Sequence, residues 1–131
     1  MYVGAHSMMF TKAMKEEDIS LLDKISEMGF DYIELQLNEP DEIPVQAFRD
    51  KLDQTGLDVV TGLTLSEDQN LISPDKEVRK NGVEFLKNMT DLAADLGAEV
   101  LGGVNYAAWG NFTGEFRTDE EWEWCRESLK E

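Results

Sequence analysis

The residues of this sequence that are capable of chemistry are few and widely spaced. His6 is the single histidine and Cys125 the single cysteine, so an internal disulfide and a cysteine-cluster metal site are excluded. Glu34 lies inside an apolar run, where a buried carboxylate needs a partner, and a structural hydrogen bond is favoured over proton transfer. The other carboxylates considered are interpreted as solvated loop charges, although two that face each other are able to bind a cation weakly: Glu39, Asp41, Glu42, Glu67 and Asp68.

A long loop precedes the clearest helix start, in the stretch DQNLISPDKEVRKNG from Asp68 to Gly82. Ser73 is suited to cap the helix and Pro74 to occupy its first position, where no amide hydrogen is needed. The apolar residues that follow keep helical spacing as far as Gly97. About ten residues without a regular apolar period separate this helix from the strand-like run LDVVTGL, so the loop itself needs an explanation.

A repeated pattern organises the whole chain. Glycine ends a helical segment and a β-rich run follows at once in GFDYIEL from Gly29, GLDVVTG from Gly56 and GAEVLGG from Gly97. With an initial YVGAH strand, the predicted order is β-α-β-α-β-α-β in a single domain over residues 1–131. The helices are predicted to bury Ile19, Leu22, Ile25 and Met28 in the first, and Val45, Phe48 and Leu52 in the second.

A fourth helix is predicted at the end of the sequence. Thr118 and Glu121 have the spacing of a capping box, and Trp122, Cys125 and Leu129 fall on one helical face. Trp122 and Trp124 are two residues apart and therefore point in different directions, so that one packs while the other is available to a partner surface.

Strands that alternate with helices predict an α/β fold with a parallel sheet. The helix-to-strand turns are tight, whereas the strand-to-helix loops are long: SMMFTKAMK, NEPDEIP, TLSEDQNLIS and NYAAWGNFTGEFR. In parallel α/β folds these loops lie at the carboxyl ends of the strands, where ligand sites are built. The loop before Ser73 is therefore expected to form one wall of a pocket.

Charge and hydropathy exclude several classes of partner. The net charge of −16 repels phosphate backbones and anionic lipid surfaces, so neither nucleic acid nor a membrane is expected to bind. No apolar run is long enough to cross a bilayer. The first residues, MYVGAHSMMF, lack the pattern of a secretory signal, and a cytoplasmic location is expected.

Three stretches resemble a known family. GFDYIELQ, TGLTLSEDQNLISPDKEVRKNG and LGAEVLGGVNYAAWG are similar to the first half of sugar isomerases and epimerases with a xylose-isomerase-like TIM barrel. They look most like ketose 3-epimerases of the D-tagatose and D-allulose (psicose) type. The resemblance implies a parallel (βα)4 half of a barrel that typically needs about 250 residues. From the residues alone, an open flavodoxin-like sheet is the alternative fold.

The resemblance also implies a substrate site and a metal. Six residues lie at positions that line the sugar in the resembled enzymes: His6, Phe10, Leu63, Asn105, Tyr106 and Trp109. Asn105 departs from the family pattern, because an apolar residue is expected at its position. Structural alternatives exist for these residues. His6 is equally suited to form a structural hydrogen bond at the end of its strand. Trp109 is suited to plug the end of a barrel, but contact with the sugar is favoured because sugars stack on flat apolar rings. In the resembled enzymes Mn²⁺, Co²⁺ or Mg²⁺ is held by two glutamates, an aspartate and a histidine on later strands. This chain is therefore expected to hold no catalytic residue and no metal by itself.

Two functions follow from these observations. The first is the N-terminal half of a metal-dependent ketose 3-epimerase or a related sugar isomerase, which transfers a proton next to a carbonyl through a cis-enediolate. The alternative is a non-catalytic half-barrel that binds a small polyol or serves in assembly. Since four barrel strands leave an apolar face and two edges, either a missing C-terminal half or a homo-oligomer is expected to cover them.

Overall fold

The computed structural model describes all 131 residues. Four strands alternate with four helices along the chain. The strands are β1 (Gly4–His6), β2 (Tyr32–Gln36), β3 (Asp58–Leu65) and β4 (Leu101–Ala108), and the helices are α1 (Leu21–Glu27), α2 (Val45–Thr55), α3 (Lys76–Asp95) and α4 (Asp119–Ser128). Single 3₁₀ turns lie in the connections at Ser7–Met9, Glu16–Asp18, Pro40–Glu42 and Glu67–Gln69. No helix combines the length and the apolar character that crossing a membrane requires.

The four strands form one sheet in the order β1-β2-β3-β4. In the parallel ladders His6 lies opposite Glu34, and Gln36 lies opposite Gly62. Consecutive order is that of half a TIM barrel, whereas a flavodoxin-like sheet places its first strand between the second and the third. The barrel prediction is therefore confirmed, and the open flavodoxin-like alternative is wrong.

The residues cluster into two compact units, each formed from two segments. The first unit contains Met1–Leu63 and Met89–Gly102, and the second contains Thr64–Asn88 and Gly103–Glu131. The division falls within strands β3 and β4. The prediction of a single domain over residues 1–131 stays a prediction.

The core of the first unit comes from the apolar positions of β1, β2, α1 and α2. Leu22, Ile25, Ile33, Leu35 and Phe48 are completely buried. The prediction for Met28 was wrong, because this side chain is 62% exposed. Helix α1 ends at Glu27, and Met28 is its C-cap, directly before the left-handed glycine that turns the chain into β2.

The second unit has buried residues on β3, the loop after it, α3 and α4. Leu65, Leu71, Val83 and Cys125 are buried there, and burial raises the pKa of the Cys125 thiol. The capping box of α4 is confirmed. Of the three residues predicted to share one helical face, Cys125 is buried, whereas Trp122 is 51% and Leu129 52% exposed. Trp122 stays at the surface beneath the Arg117 guanidinium, 4.6 Å from its ring centroid.

Helix α3 begins two residues later than the sequence suggests. Asp75 is the capping residue, since its Oδ1 accepts the Glu77 N–H at 2.9 Å. The Ser73 hydroxyl instead accepts the N–H of Asp75 at 3.2 Å and so shapes the approach to the helix. Arg79, on the first turns of α3, donates to the Ser73 carbonyl at 2.5 Å and lies over the Trp124 ring of α4 at 5.0 Å.

Candidate functional site

His6 ends β1 and is held by a local contact. Its Nδ1 accepts the Met8 N–H at 3.1 Å, so the ring caps the turn that follows the strand. A ring nitrogen that accepts a hydrogen bond carries no proton, which places the proton of the neutral ring on Nε2. His6 thus takes part in the turn after β1, and its contact with a sugar stays a prediction.

Polar side chains lie on the face of β2 and β3 that is opposite the face of the buried apolar residues. A Cβ added at Gly62 would lie 3.0 Å from Glu34 Oε1 and 3.5 Å from Gln36 Oε1, so glycine leaves room for both side chains. Gln36 also donates to Asn38 Oδ1 at 2.8 Å, and its backbone N–H donates to Ser7 Oγ at 3.0 Å. The alternation in the stretch YIELQ is the sequence signal for this polar face.

A cavity of about 690 Å³ lies in the first unit beside Glu34. The rings of Tyr2 and Tyr32 stack at its margin with their centroids 5.4 Å apart. Tyr32 also occupies the space above Gly4, where a Cβ would lie 2.2 Å from its ring. Because this cavity is at the start of β2 and β3, it is distant along the strands from the loops at their carboxyl ends.

The other predicted site residues of the first unit are Phe10 and Leu63. Phe10 is half-buried and closes the turn after β1, with its N–H donating to the Ser7 carbonyl at 2.9 Å. Leu63 is completely buried. Because side chains alternate along a strand, Leu63 points to the same side as buried Leu65 and away from that of Gly62. The expectation that Leu63 contacts a sugar therefore needs correction, since its side chain offers no surface to a ligand.

The predicted site residues of the second unit lie at the carboxyl end of β4 and directly after it. Asn105 is half-buried, Tyr106 is exposed, and Trp109 is 67% exposed directly after the strand. The Trp109 backbone is nevertheless fixed, since its N–H donates to the Leu65 carbonyl at 2.8 Å. An exposed ring on an anchored backbone is suited to stack on a flat ligand.

The loop between β3 and α3 forms one wall of a cavity of about 330 Å³, which it shares with the loop after β4. That cavity is lined by Glu67, Asn70, Ala108, Gly110, Asn111 and Phe112. The expectation that the loop before Ser73 forms a pocket wall is thus confirmed. Sequence reasoning missed Asn70 and Phe112; an aromatic residue between Gly110 and Gly114 was the available signal.

The loop carboxylates after β2 face a cation of the chain itself. Lys15 Nζ lies 2.7 Å from Glu42 Oε2, and this hydrogen bond lowers the pKa of Glu42 and raises that of Lys15. A hydrogen bond in which the Glu42 carboxylate is the acceptor raises the pKa of Glu39. The ammonium group of Lys15 therefore already pairs with the Glu42 carboxylate.

The divalent cation that the resemblance implies is held by two glutamates, an aspartate and a histidine. The structure brings no three His, Cys, Asp or Glu side chains together that could hold a metal ion. The residues of this chain therefore do not fit such a metal.

Comparison with known proteins places this geometry in a family. The family model described as xylose isomerase-like TIM barrel matches residues 22–131. A ketose 3-epimerase of Arthrobacter globiformis is 35% identical over 109 residues, which are 82% of this chain and 38% of that protein. An L-ribulose 3-epimerase of Methylomonas sp. is 36% identical over 86 residues, which are 66% of this chain and 30% of that protein.

Solved structures show the same relationship. The D-allulose 3-epimerase of Methylomonas sp. superposes with a TM-score of 0.90 and 26% identity, covering 99% of this chain and 46% of that one. The same enzyme in complex with D-allulose gives a TM-score of 0.90 at 25% identity. This chain thus spans less than half of the length of these relatives.

Proposed function

The chain belongs to the xylose isomerase-like TIM barrel family, and from this membership we propose that it forms the sugar-binding wall of a ketose 3-epimerase-type isomerase. The observation that carries the proposal is Trp109, whose ring is exposed while its N–H is bound to Leu65. The relatives named ketose and L-ribulose 3-epimerase support the substrate class.

In this proposal the residues of the chain bind and orient the sugar and break no bond. Trp109 and Tyr106 stack on an apolar face of the sugar, because a flat ring matches a face of C–H groups. Asn105, in the same unit, contributes an amide. A donor from His6 Nε2 and an apolar contact from Phe10, both in the first unit, stay expectations from the resemblance. Leu63 is left out of the proposed wall because it is buried.

The chemistry proposed for the whole protein is epimerisation by proton transfer next to a carbonyl. A divalent cation, Mn²⁺, Co²⁺ or Mg²⁺, would stabilise the negative charge that develops on the sugar oxygen. Its ligands and the acid/base pair are proposed to lie outside this chain. The cytoplasmic location and the homo-oligomer stay predictions.

Fluorescence of Trp109 tests the sugar-binding role. The chain has three tryptophans, so Trp122→Phe with Trp124→Phe leaves Trp109 as the only indole and keeps an aromatic ring at both replaced positions. We expect D-allulose at millimolar concentration to quench this emission saturably, because the sugar displaces water from an exposed ring.

The matched control retains the other two indoles. Trp109→Phe, with Trp122 and Trp124 present, should show no response to D-allulose, and glycerol at equal concentration should quench neither protein. A flat titration of the Trp109-only protein, or an equal response in Trp109→Phe, would remove Trp109 from the proposed wall.

A further inference from the structure

The loop between β3 and α3 is held closely against α3. Ser66 and Gln69 bond reciprocally across its first turn, and Leu71 is completely buried. A Cβ at Gly82 of α3 would lie 2.2 Å from the Gln69 carbonyl oxygen and 2.6 Å from Leu71 Cδ2. The loop backbone therefore lies directly on the helix at a point where only glycine leaves room.

Asn70 lies between these two anchored residues and bonds in two directions. Its Oδ1 accepts the Ile72 N–H at 3.2 Å, which is the local turn that asparagine commonly makes. The same oxygen accepts the N–H of Ala108 at 3.2 Å, a residue 38 positions away at the end of β4. The second bond is not needed for the local turn and joins the loop to the strand.

The amide that Asn70 accepts is shielded from water. Ala108 is buried, so loss of the acceptor would leave a buried N–H without a partner. The next amide, that of Trp109, is bound to the Leu65 carbonyl at 2.8 Å. The last amide of β4 and the first amide after it are thus bound to Asn70 of the loop and to Leu65, the residue that ends β3.

We propose that Asn70 is a positioning residue for Trp109: its carboxamide oxygen transmits the fixed position of the loop on α3 to the Ala108–Trp109 backbone. This inference rests on the proposed sugar-binding role of Trp109. It gives the stretch NLISPDKEVRKNG a physical role, since Asn70 bonds to β4, Arg79 bonds to the Ser73 carbonyl, and Gly82 admits the loop.

The test uses two variants of Asn70 in the Trp109-only protein. Asn70→Leu is similar in size and has no acceptor, whereas Asn70→Asp keeps an acceptor oxygen. We expect Asn70→Leu to lower the fluorescence anisotropy of Trp109 and to speed hydrogen exchange at the Ala108 amide. The D-allulose concentration for half-maximal quenching should rise about tenfold, as expected for loss of one hydrogen bond.

Conservative rescue and a remote substitution separate positioning from general destabilisation. Asn70→Asp should restore anisotropy and keep half-maximal quenching within about twofold of the parent, because the acceptor is present. Asn88→Leu, an exposed asparagine of α3, should change none of the three readouts. If Asn70→Leu loses the circular dichroism of the parent, the smaller Asn70→Ala takes its place.

The outcomes distinguish this inference from the proposed function. Unchanged anisotropy and unchanged Ala108 exchange in the variant without an acceptor would overturn the role of Asn70. Absence of quenching in the parent protein would overturn the sugar-binding role of Trp109, while anisotropy and exchange would still decide whether Asn70 positions the ring.

Discussion

At the scale of single residues, Gly82 and Asn70 have roles that depend on the close approach of the β3–α3 loop to α3 and β4. Gly82 lies inside α3, where glycine costs about 1 kcal/mol relative to alanine. Local sequence therefore marks it as unfavourable. The structure supplies the compensating contact, since the Gln69 carbonyl occupies the space that a Cβ would need.

Replacement of Gly82 tests that compensation. Gly82→Ala should lower the free energy of unfolding by about 1–3 kcal/mol, because overpacking outweighs the gain in helix propensity. Urea denaturation followed by circular dichroism measures the change. Asn88→Ala, at an exposed position of the same helix, is the matched control and should be neutral or slightly stabilising. A more stable Gly82→Ala protein would show that the loop moves away at little cost.

At the scale of elements, the first residues of α3 and α4 show how far sequence rules for helix capping predict where a helix begins. The α4 start follows the capping-box rule, with Thr118 Oγ1 accepting the Glu121 N–H at 3.1 Å and Glu121 Oε2 accepting the Thr118 N–H at 2.7 Å. The α3 start differs, because Asp75 takes the cap and Ser73 shapes the preceding turn. Two adjacent residues able to cap leave the exact boundary to the surrounding contacts.

Removal of the α4 cap should destabilise that helix. Thr118→Ala is expected to cost about 1 kcal/mol, because the N–H of Glu121 loses its acceptor. Hydrogen exchange along α4 measures the loss, and exchange should rise most in the first turn. Thr118→Ser retains the hydroxyl and should exchange like the parent; equal protection in all three proteins would assign the stability of α4 to packing alone.

At the scale of the whole molecule, the family is established and the activity is a proposal. The chain covers 38% of the Arthrobacter globiformis ketose 3-epimerase. Its sheet order, β1-β2-β3-β4, is that of the first half of a TIM barrel. The polar and aromatic residues at the carboxyl ends of the strands are the parts of a site that such a half is able to contribute.

Catalysis by this chain alone should therefore not be observed. With Mn²⁺ and D-allulose we expect no C3 epimer to form, because no three potential metal-ligating side chains lie together. Chromatography of the sugars measures the conversion, with the D-allulose 3-epimerase of Methylomonas sp. as the positive control. Turnover that a chelator abolishes would place the acid/base groups within this chain. The non-catalytic alternative also predicts sugar binding without turnover. Turnover by a longer protein that contains this chain would exclude that alternative.

Much of the fold follows from local sequence. Alternating strands and helices, the turns at Gly29, Gly56 and Gly97, and the Thr118 cap depend on residues close in the chain, and the structure confirms them. The glycines adopt φ values of 85°, 71° and 84°, a region that other residues rarely enter. Periodicity and turn chemistry are properties of neighbouring residues, which is why sequence alone determined them.

Tertiary packing decided which predicted residues are available to a ligand. Leu63 is buried and Trp109 exposed, although both were predicted to line the sugar. Trp122 is exposed although it shares a helical face with buried Cys125. The contact from Asn70 to Ala108 spans 38 residues and exists only because α3 holds the loop beside β4. Burial and long-range hydrogen bonds depend on contacts between elements that are far apart in the chain. Local sequence patterns do not determine those contacts.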